Sequence, residues 1–413
     1  MSSLQRVLDG VSVLDFTQIG AGPTCTMLLA DLGASVIKVE PLEGELGRRL
    51  GPGWIGDEAA LFHGFNRNKK SISIDLKSSS GADVARRLAS RAHIVVESMR
   101  PGVMDRLGLG QAKLKEINPD LIWCSISAYG QNGPYAQRAG VDGILQADSG
   151  LMSLIGFAHT GPAKVQTPIV DVFTGYVAAF SVLAAVLATR SGPVPPIDVS
   201  LFRSAIALQQ AALTSFLADS HLPEKQGSAA PYSAPNEAFE TADGWIMVAA
   251  YNGGRWERLC ACLGMTELAG DERFRNSSLR VANRQAMVDT LTPLFKAANT
   301  SHWLKVLEAA DILCAPVSTY DRLLEHPQLI TTNVLTTVDD RRHGSVRMPD
   351  FPVRVAGVEP RKPSPAPALG EDTVQILSEL GLSGDEIQRL LDAGVARAAP
   401  ATTTSLSTKE LIQ

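Results

Sequence analysis

Cysteine is scarce in this chain. Five occur among 413 residues, at Cys25, Cys124, Cys260, Cys262 and Cys314, and none forms a Cys-x-x-Cys pair. An odd, sparse set in a chain this long points to a reducing compartment rather than a disulfide framework. The seven histidines are scattered, so neither residue type gives a zinc spacing and no metal site is expected. A basic excess is missing too: 38 Lys and Arg against 43 Asp and Glu leave a net charge of −5, which argues against a general nucleic-acid binder. The amino-terminal residues include Arg6 and Asp9 but no apolar signal-peptide core, so a cytoplasmic protein is expected. No Gly-x-Ser-x-Gly elbow is present, and the serines show no triad spacing with His63 or His159.

What is present is an ordinary globular composition, 45% hydrophobic and 20% charged, at a length that suits two domains. Short β-rich apolar runs at 11–16, 35–39, 71–76, 93–97 and 121–127 alternate with helical patterns such as 24–32 and 81–92. That alternation predicts βαβ units and a mainly parallel sheet, an α/β fold with helices on both faces. Residues 172–189 run without a charge at the lower edge of a membrane span, and 204–218 are also uncharged. Their alanine content and the polar Thr174, Ser181, Gln209 and Gln210 predict two helices packed inside a protein core, not a membrane span. From 222 the texture changes. A loop, a hairpin turning at Asp243-Gly244 and helical patterns at 256–263, 282–298 and 302–310 predict a smaller α+β domain. Strand-like runs at 334–338 and 345–349 and a helix at 374–380 then predict a return to the first domain. The expected division is 1–221 and 327–397 for the large domain, 222–326 for the small one with its linkers, and a frayed tail at 398–413.

Three features can carry chemistry. The first βα turn, Gly20-Ala21-Gly22-Pro23, with Glu40 closing the next strand, imitates a dinucleotide fingerprint. Cys25 stands where the third glycine belongs, however, and a tight strand-to-helix turn explains the residues equally. Lys77, Arg100 and Arg106 each follow the carboxyl end of a predicted strand, where they are placed to converge on phosphates or simply to face solvent. Asp171 stands alone before the longest uncharged helix. It reads as an N-cap, or as a carboxylate kept ionised by the helix dipole and able to attack an activated acyl group; residue chemistry alone leaves both open.

These residues sit in a sequence that resembles the family III CoA-transferases, the group that includes formyl-CoA and carnitine CoA-transferases. The likeness runs through Leu8-Asp9-Gly10-Val11, Ala21-Gly22-Pro23, Ala30-Asp31-Leu32-Gly33-Ala34 and Val36-Ile37-Lys38-Val39-Glu40. It continues in Asn66-Arg67-Asn68-Lys69-Lys70, Arg100-Pro101-Gly102, Ile117-Asn118-Pro119, Tyr129-Gly130-Gln131, Ser149-Gly150-Leu151-Met152 and Asp243-Gly244, covering roughly residues 8–396.

The resemblance implies a Rossmann-like large domain, a smaller middle domain and an interlocked homodimer. It makes Asp171 the nucleophile. It places CoA against Gly20, Ala21, Ile74, Lys77, Ser98, Met99, Arg100, Arg106, Ser127, Tyr129 and Gly130. Lys77 and Arg106 match as they stand, whereas formyl-CoA transferase has Gln at the Gly20 position and Lys at Ser127. The implied activity moves CoA from an acyl-CoA, by family analogy succinyl-CoA, to a free carboxylic acid. Coenzyme A and acyl-CoA then serve as substrates, with no tightly bound cofactor and neither nucleic acid nor membrane as a partner. Acceptor choice is expected to involve 226–236 and 251–255. The rivals are an α-methylacyl-CoA racemase, whose histidine position holds Val141 here, a nicotinamide dehydrogenase resting on the imperfect turn and Glu40, and a non-catalytic CoA-binding dimer.

Overall fold

A computed structural model describes residues 4–400; the expected frayed tail lies, from 401 onward, outside the described residues. The chain divides into two compact units. Among the described residues, the larger comprises those up to Leu151, Val165–Leu213 and those from Asn333 on. The smaller comprises Met152–Lys164 and Thr214–Thr332. The division read from sequence differs in giving 152–164, 214–221 and 327–332 to the large part. An isolated bridge between Phe157 and Gln226 and a hydrogen bond between the main chains of Gly227 and Gly156 instead tie 152–164 to the smaller unit.

The larger unit is built on a seven-stranded sheet. Its strands are β1 (Ser12–Phe16), β2 (Ser35–Glu40), β3 (Lys69–Ile74), β4 (Ile94–Glu97), β5 (Ile122–Ser127), β6 (Ile197–Ser200) and β7 (Ala396–Arg397), in the order β7-β3-β2-β1-β4-β5-β6. All neighbours pair in parallel except β7, which runs antiparallel to β3 with Ala396 opposite Ile74. Alternate residues of each strand serve opposite faces. Val13, Val36, Ile94, Val96 and Ile126 join one core, while Leu14, Val39, Ile72, Val95 and Trp123 join the other. Burial on both faces is why these strands read as near-continuous apolar runs.

On the first face lie α1 (Ala21–Asp31), α3 (Asp142–Asp148), α4 (Ile169–Ala188) and α5 (Leu201–Leu208), and on the second α2 (Ser79–Ala89) and α6 (Thr373–Glu379). Every residue of α1 is buried. Close approach of α1 to α4 depends on Gly175, where a Cβ would sit 2.5 Å from Thr24 Cβ and 2.7 Å from the Ala21 carbonyl oxygen.

The two uncharged stretches resolve differently from expectation. The α4 helix packs one face on the core but exposes Tyr176, Phe180 and Leu187, and by length and composition it is apolar enough to cross a membrane. The second stretch is not one helix. Gln209 turns its side-chain amide onto the carbonyls of Ala205 and Ser149, at 2.9 and 3.1 Å, and Gln210–Asp219 starts a separate helix without a buried residue.

The smaller unit has a three-stranded antiparallel sheet of Asn236–Glu240, Trp245–Ala249 and Leu313–Pro316. The helices Gly253–Cys262, Arg284–Lys296 and Thr300–Ala309 cover it around Phe239, Trp256, Phe274 and Phe295. Arg280 is wholly buried there, donating to the carbonyls of Ala234, Phe274 and Tyr251 at 2.6–2.7 Å.

Candidate active site

Because β1 to β6 are parallel, their carboxyl ends share one edge of the sheet. The chain winds from β1 outward through β2 and β3 on one side and through β4, β5 and β6 on the other, so the switch point lies between β1 and β4. In open α/β sheets the crevice outside such a switch point is where ligands bind. Gly20 and Ala21 follow β1, Lys77 follows β3, Ser98, Met99, Arg100 and Arg106 follow β4, and Tyr129 and Gly130 follow β5, which ends at Ser127. A hydrogen bond from Gln18 N–H to Ser98 Oγ, 3.2 Å, ties the two loops that flank the switch point.

The candidate residues differ in what they offer. Lys77, Arg100 and Arg106 are exposed, and among the described residues none forms an ion pair. Ile74 is wholly buried opposite Ala396, so its side chain serves the core and only its main chain remains for a ligand. Met99 packs against the core and its N–H donates to Glu97 Oε2 at 2.9 Å. Ser127 Oγ accepts from Gly130 N–H, and Gly130 needs its φ of +96° for that turn. The Tyr129 hydroxyl donates to Asp148.

Asp171 stands in the first turn of α4, 8% exposed. It does not cap its helix. The cap comes from α3, where Asp142 Oδ2 accepts the N–H groups of Val170 and Asp171 at 2.8 and 3.1 Å. The side-chain amide of Gln146 holds the other Asp142 oxygen at 2.6 Å. The Asp171 carboxylate is thereby released from capping, and among the described residues nothing donates a hydrogen bond to it. It lies against the start of α1, where a Cβ on Gly20 would come within 2.5 Å of Oδ2. Burial, and secondarily the like charge of Asp142, push its pKa up to about 7 from 3.8. The helix dipole favours ionisation by only about 0.3–2 kcal/mol, less than burial removes, so the expectation of a dipole-held anion gives way.

The turn leading to Gly20 rests on buried charge. Asp15, in the middle of β1, accepts from the main chain and hydroxyl of Thr17, from Thr26 and from Lys69 Nζ at 3.0 Å. Burial alone would raise Asp15; the Lys38 and Lys69 ammonium groups, with the two threonine hydroxyls, outweigh it and hold the carboxyl far below its usual range. Burial depresses Lys69 to about 8 despite Asp15. Glu40 accepts from Arg48 Nε and Nη2, each at 2.7 Å, and from the Ser71 hydroxyl. The acid that a nicotinamide ribose would need is therefore engaged in a buried ion pair, which removes the basis of the dehydrogenase reading. No group of three or more His, Cys, Asp or Glu among the described residues is placed to hold a metal.

Residues 8–373 match the family described as CoA-transferase family III. The chain belongs to CoA-transferase family III. It is 34% identical to human succinyl-CoA:glutarate CoA-transferase, the match covering 94% of this chain and 90% of that one. Acetyl-CoA:oxalate CoA-transferase from Acetobacter aceti is also 34% identical, with 90% of this chain and 95% of that one covered. Among solved structures, a CAIB/BAIF family protein from Brucella suis superposes with a TM-score of 0.82 at 34% identity, covering 91% of this chain and 99% of that one. This family III CoA-transferase thus takes CoA thioesters as substrates. At the position where a racemase has histidine, Val141 is 56% exposed and directly precedes the capping Asp142. Asn252, in the 251–255 segment expected to bear on acceptor choice, caps Gly253–Cys262 by accepting the Arg255 N–H and belongs to the smaller unit.

Sequence reasoning missed Asp142. It lies 29 residues before Asp171, and no local pattern announces that its carboxylate reaches the α4 amides.

Proposed function

We propose that the chain transfers CoA from succinyl-CoA to a dicarboxylic acid, with Asp171 as the covalent nucleophile. The observation that carries this is a buried carboxylate without a hydrogen-bond donor, set at the switch-point edge against the start of α1. Such a carboxylate is poorly stabilised as an anion and correspondingly ready to attack an acyl carbon. One Asp171 oxygen adds to the thioester carbonyl, the C–S bond breaks, and CoA leaves as thiolate from a mixed anhydride. The thiolate then attacks the aspartyl carbonyl, expelling succinate and leaving an aspartyl-CoA thioester. The acceptor carboxylate attacks that thioester and releases the thiolate again. Attack of the thiolate on the acceptor acyl carbon gives the new acyl-CoA and restores Asp171. Each intermediate, anhydride or thioester, stays activated enough to pass the acyl group on, whereas a serine ester would hold it too stably.

Among the described residues, the N–H groups of Gly20, Ala21 and Gly22 meet no acceptor, which makes them donors for the tetrahedral oxyanions. CoA runs along the same edge, its phosphates met by Lys77, Arg100 and Arg106 and its main-chain contacts supplied by residues such as Ile74, Ser98 and Tyr129. A dicarboxylate acceptor is favoured by relatives named for glutarate and mesaconate. The exposed apolar face of α4, with Phe180 73% exposed, is covered in this reading by a second copy of the chain, as in an interlocked homodimer, rather than by lipid. The setting is cytoplasmic, in keeping with the free thiols of Cys25, Cys124 and Cys260 in the core.

The test is acyl exchange followed by mass spectrometry, with a panel of acyl-CoA donors and free acids, for the wild type beside Asp171→Ala. Exchange that vanishes in the folded variant is expected. Undiminished exchange in that variant overturns the nucleophile.

A further inference from the structure

Each residue of the turn that delivers Gly20 to Asp171 has its own holding partner. Thr17 is held by Asp15 from one side and by Lys38, whose Nζ donates to its carbonyl at 2.9 Å, from the other. Gln18 is held by Ser98. Ile19 is the exception in conformation: its φ is +71°, in the left-handed region that a β-branched residue rarely occupies unless its surroundings impose it. The partner of its N–H is Glu45. Its Oε2 accepts the Ile19 N–H at 2.9 Å and the Gly47 N–H at 2.7 Å, and Lys38 Nζ lies 3.4 Å from Oε1. Glu45 is itself buried and fixed, its own N–H bonded to Glu40 Oε2 at 3.2 Å within the pair that Glu40 makes with Arg48.

We propose that Glu45 is a positioning residue for the transfer reaction: it holds Ile19 left-handed and so keeps Gly20 and the free N–H groups of α1 against Asp171. Glu45 touches neither the nucleophile nor, in this account, the substrate. It acts through one strained residue, and Lys38 balances its charge while gripping the same turn at Thr17. Releasing Ile19 to an extended conformation would redirect the next peptide unit, the one that carries the Gly20 N–H. This inference rests on Asp171 as the nucleophile. A purely structural ion pair would behave differently: its loss would lower stability, but nothing at Ile19 would repair the chemistry.

The experiment follows exchange of isotope-labelled succinate into succinyl-CoA, recording kcat and KM for succinyl-CoA beside the thermal midpoint. It compares wild type, Glu45→Ala, Glu45→Gln, Glu45→Ala combined with Ile19→Gly, and Asp171→Ala. In Glu45→Ala, kcat is expected to fall on the order of 10²-fold, the scale of a misplaced catalytic group, with KM little changed. Glu45→Gln keeps an acceptor for Ile19 and retains most activity. Glycine adopts positive φ freely, so adding Ile19→Gly to Glu45→Ala restores most of the lost kcat. Full kcat in Glu45→Ala, or no recovery on adding Ile19→Gly, overturns the proposal. If Glu45→Ala does not fold, Ile19→Pro tests the same claim with Glu45 intact, since proline can neither adopt positive φ nor donate; wild-type kcat in that variant overturns it. Exchange that survives in Asp171→Ala defeats the nucleophile reading instead, so the two failures are separable.

Discussion

At the scale of single residues, the decisive competition is over the charge of Asp171. Burial, with the like charge of Asp142 second, raises its pKa to about 7, and in the proposed reaction the attacking form is the ionised one. For the free enzyme, kcat/KM should therefore be level above about pH 7 and fall about tenfold per pH unit below it; a profile still level at pH 5 would show a carboxylate that is not displaced. The same displacement is a cost to folding. With a folded value near 7 above an unfolded one near 3.8, the folded state holds the proton across that window. The favourable contribution is complete below the lower value, shrinks as pH rises and is gone above the upper one. At pH 8 the ionised group costs at most ~4 kcal/mol. Asp171→Asn is thus expected to lose exchange activity while raising the thermal midpoint by a few degrees at pH 8 and hardly at all at pH 4. Calorimetry at the two pH values reads the difference.

At the scale of elements, the site depends on α1 and α4 meeting closely. Gly175 permits it, because any Cβ there collides with Thr24 and with the Ala21 carbonyl. Gly175→Val should cost about 1–3 kcal/mol through overpacking, measurable by urea denaturation, and should lower kcat as Gly20 and Asp171 separate. A variant of unchanged stability and rate would mean that the helix contact has slack. Much of this element structure is legible in the sequence. The runs at 11–16, 35–39, 71–76, 93–97 and 121–127 are apolar because each strand is buried on two faces. The capping of α4 is not legible, since Asp142 acts across space from another helix. Neither is Leu313–Pro316, a four-residue strand ending in proline, nor the left-handed Ile19, whose hydrogen-bond partner lies 26 positions away at Glu45.

At the scale of the whole molecule, the chain order itself hides part of the site. Five of the parallel strands come from the first 127 residues, but β6 arrives at 197 and the antiparallel edge strand at 396. Their pairing is fixed by tertiary burial rather than by any adjacent turn. Residue patterns alone left cap and nucleophile open at Asp171, and the fold removes the cap, because Asp142 supplies it from another helix. The outward face of α4 belongs to this scale as well. If a second copy covers it, Phe180→Asp should shift sedimentation of the protein from dimer towards monomer; an unchanged dimer would place the interface elsewhere.

The most direct test of the central claim is chemical trapping. The protein is incubated with succinyl-CoA without acceptor, treated with hydroxylamine and digested, and the peptide containing Asp171 is sequenced by mass spectrometry. A hydroxamate on the Asp171 side chain, absent without succinyl-CoA, is the predicted result, because both the anhydride and the thioester present an activated aspartyl carbonyl. An unmodified Asp171 in an enzyme that exchanges acyl groups, or a hydroxamate on another carboxylate, would contradict the account.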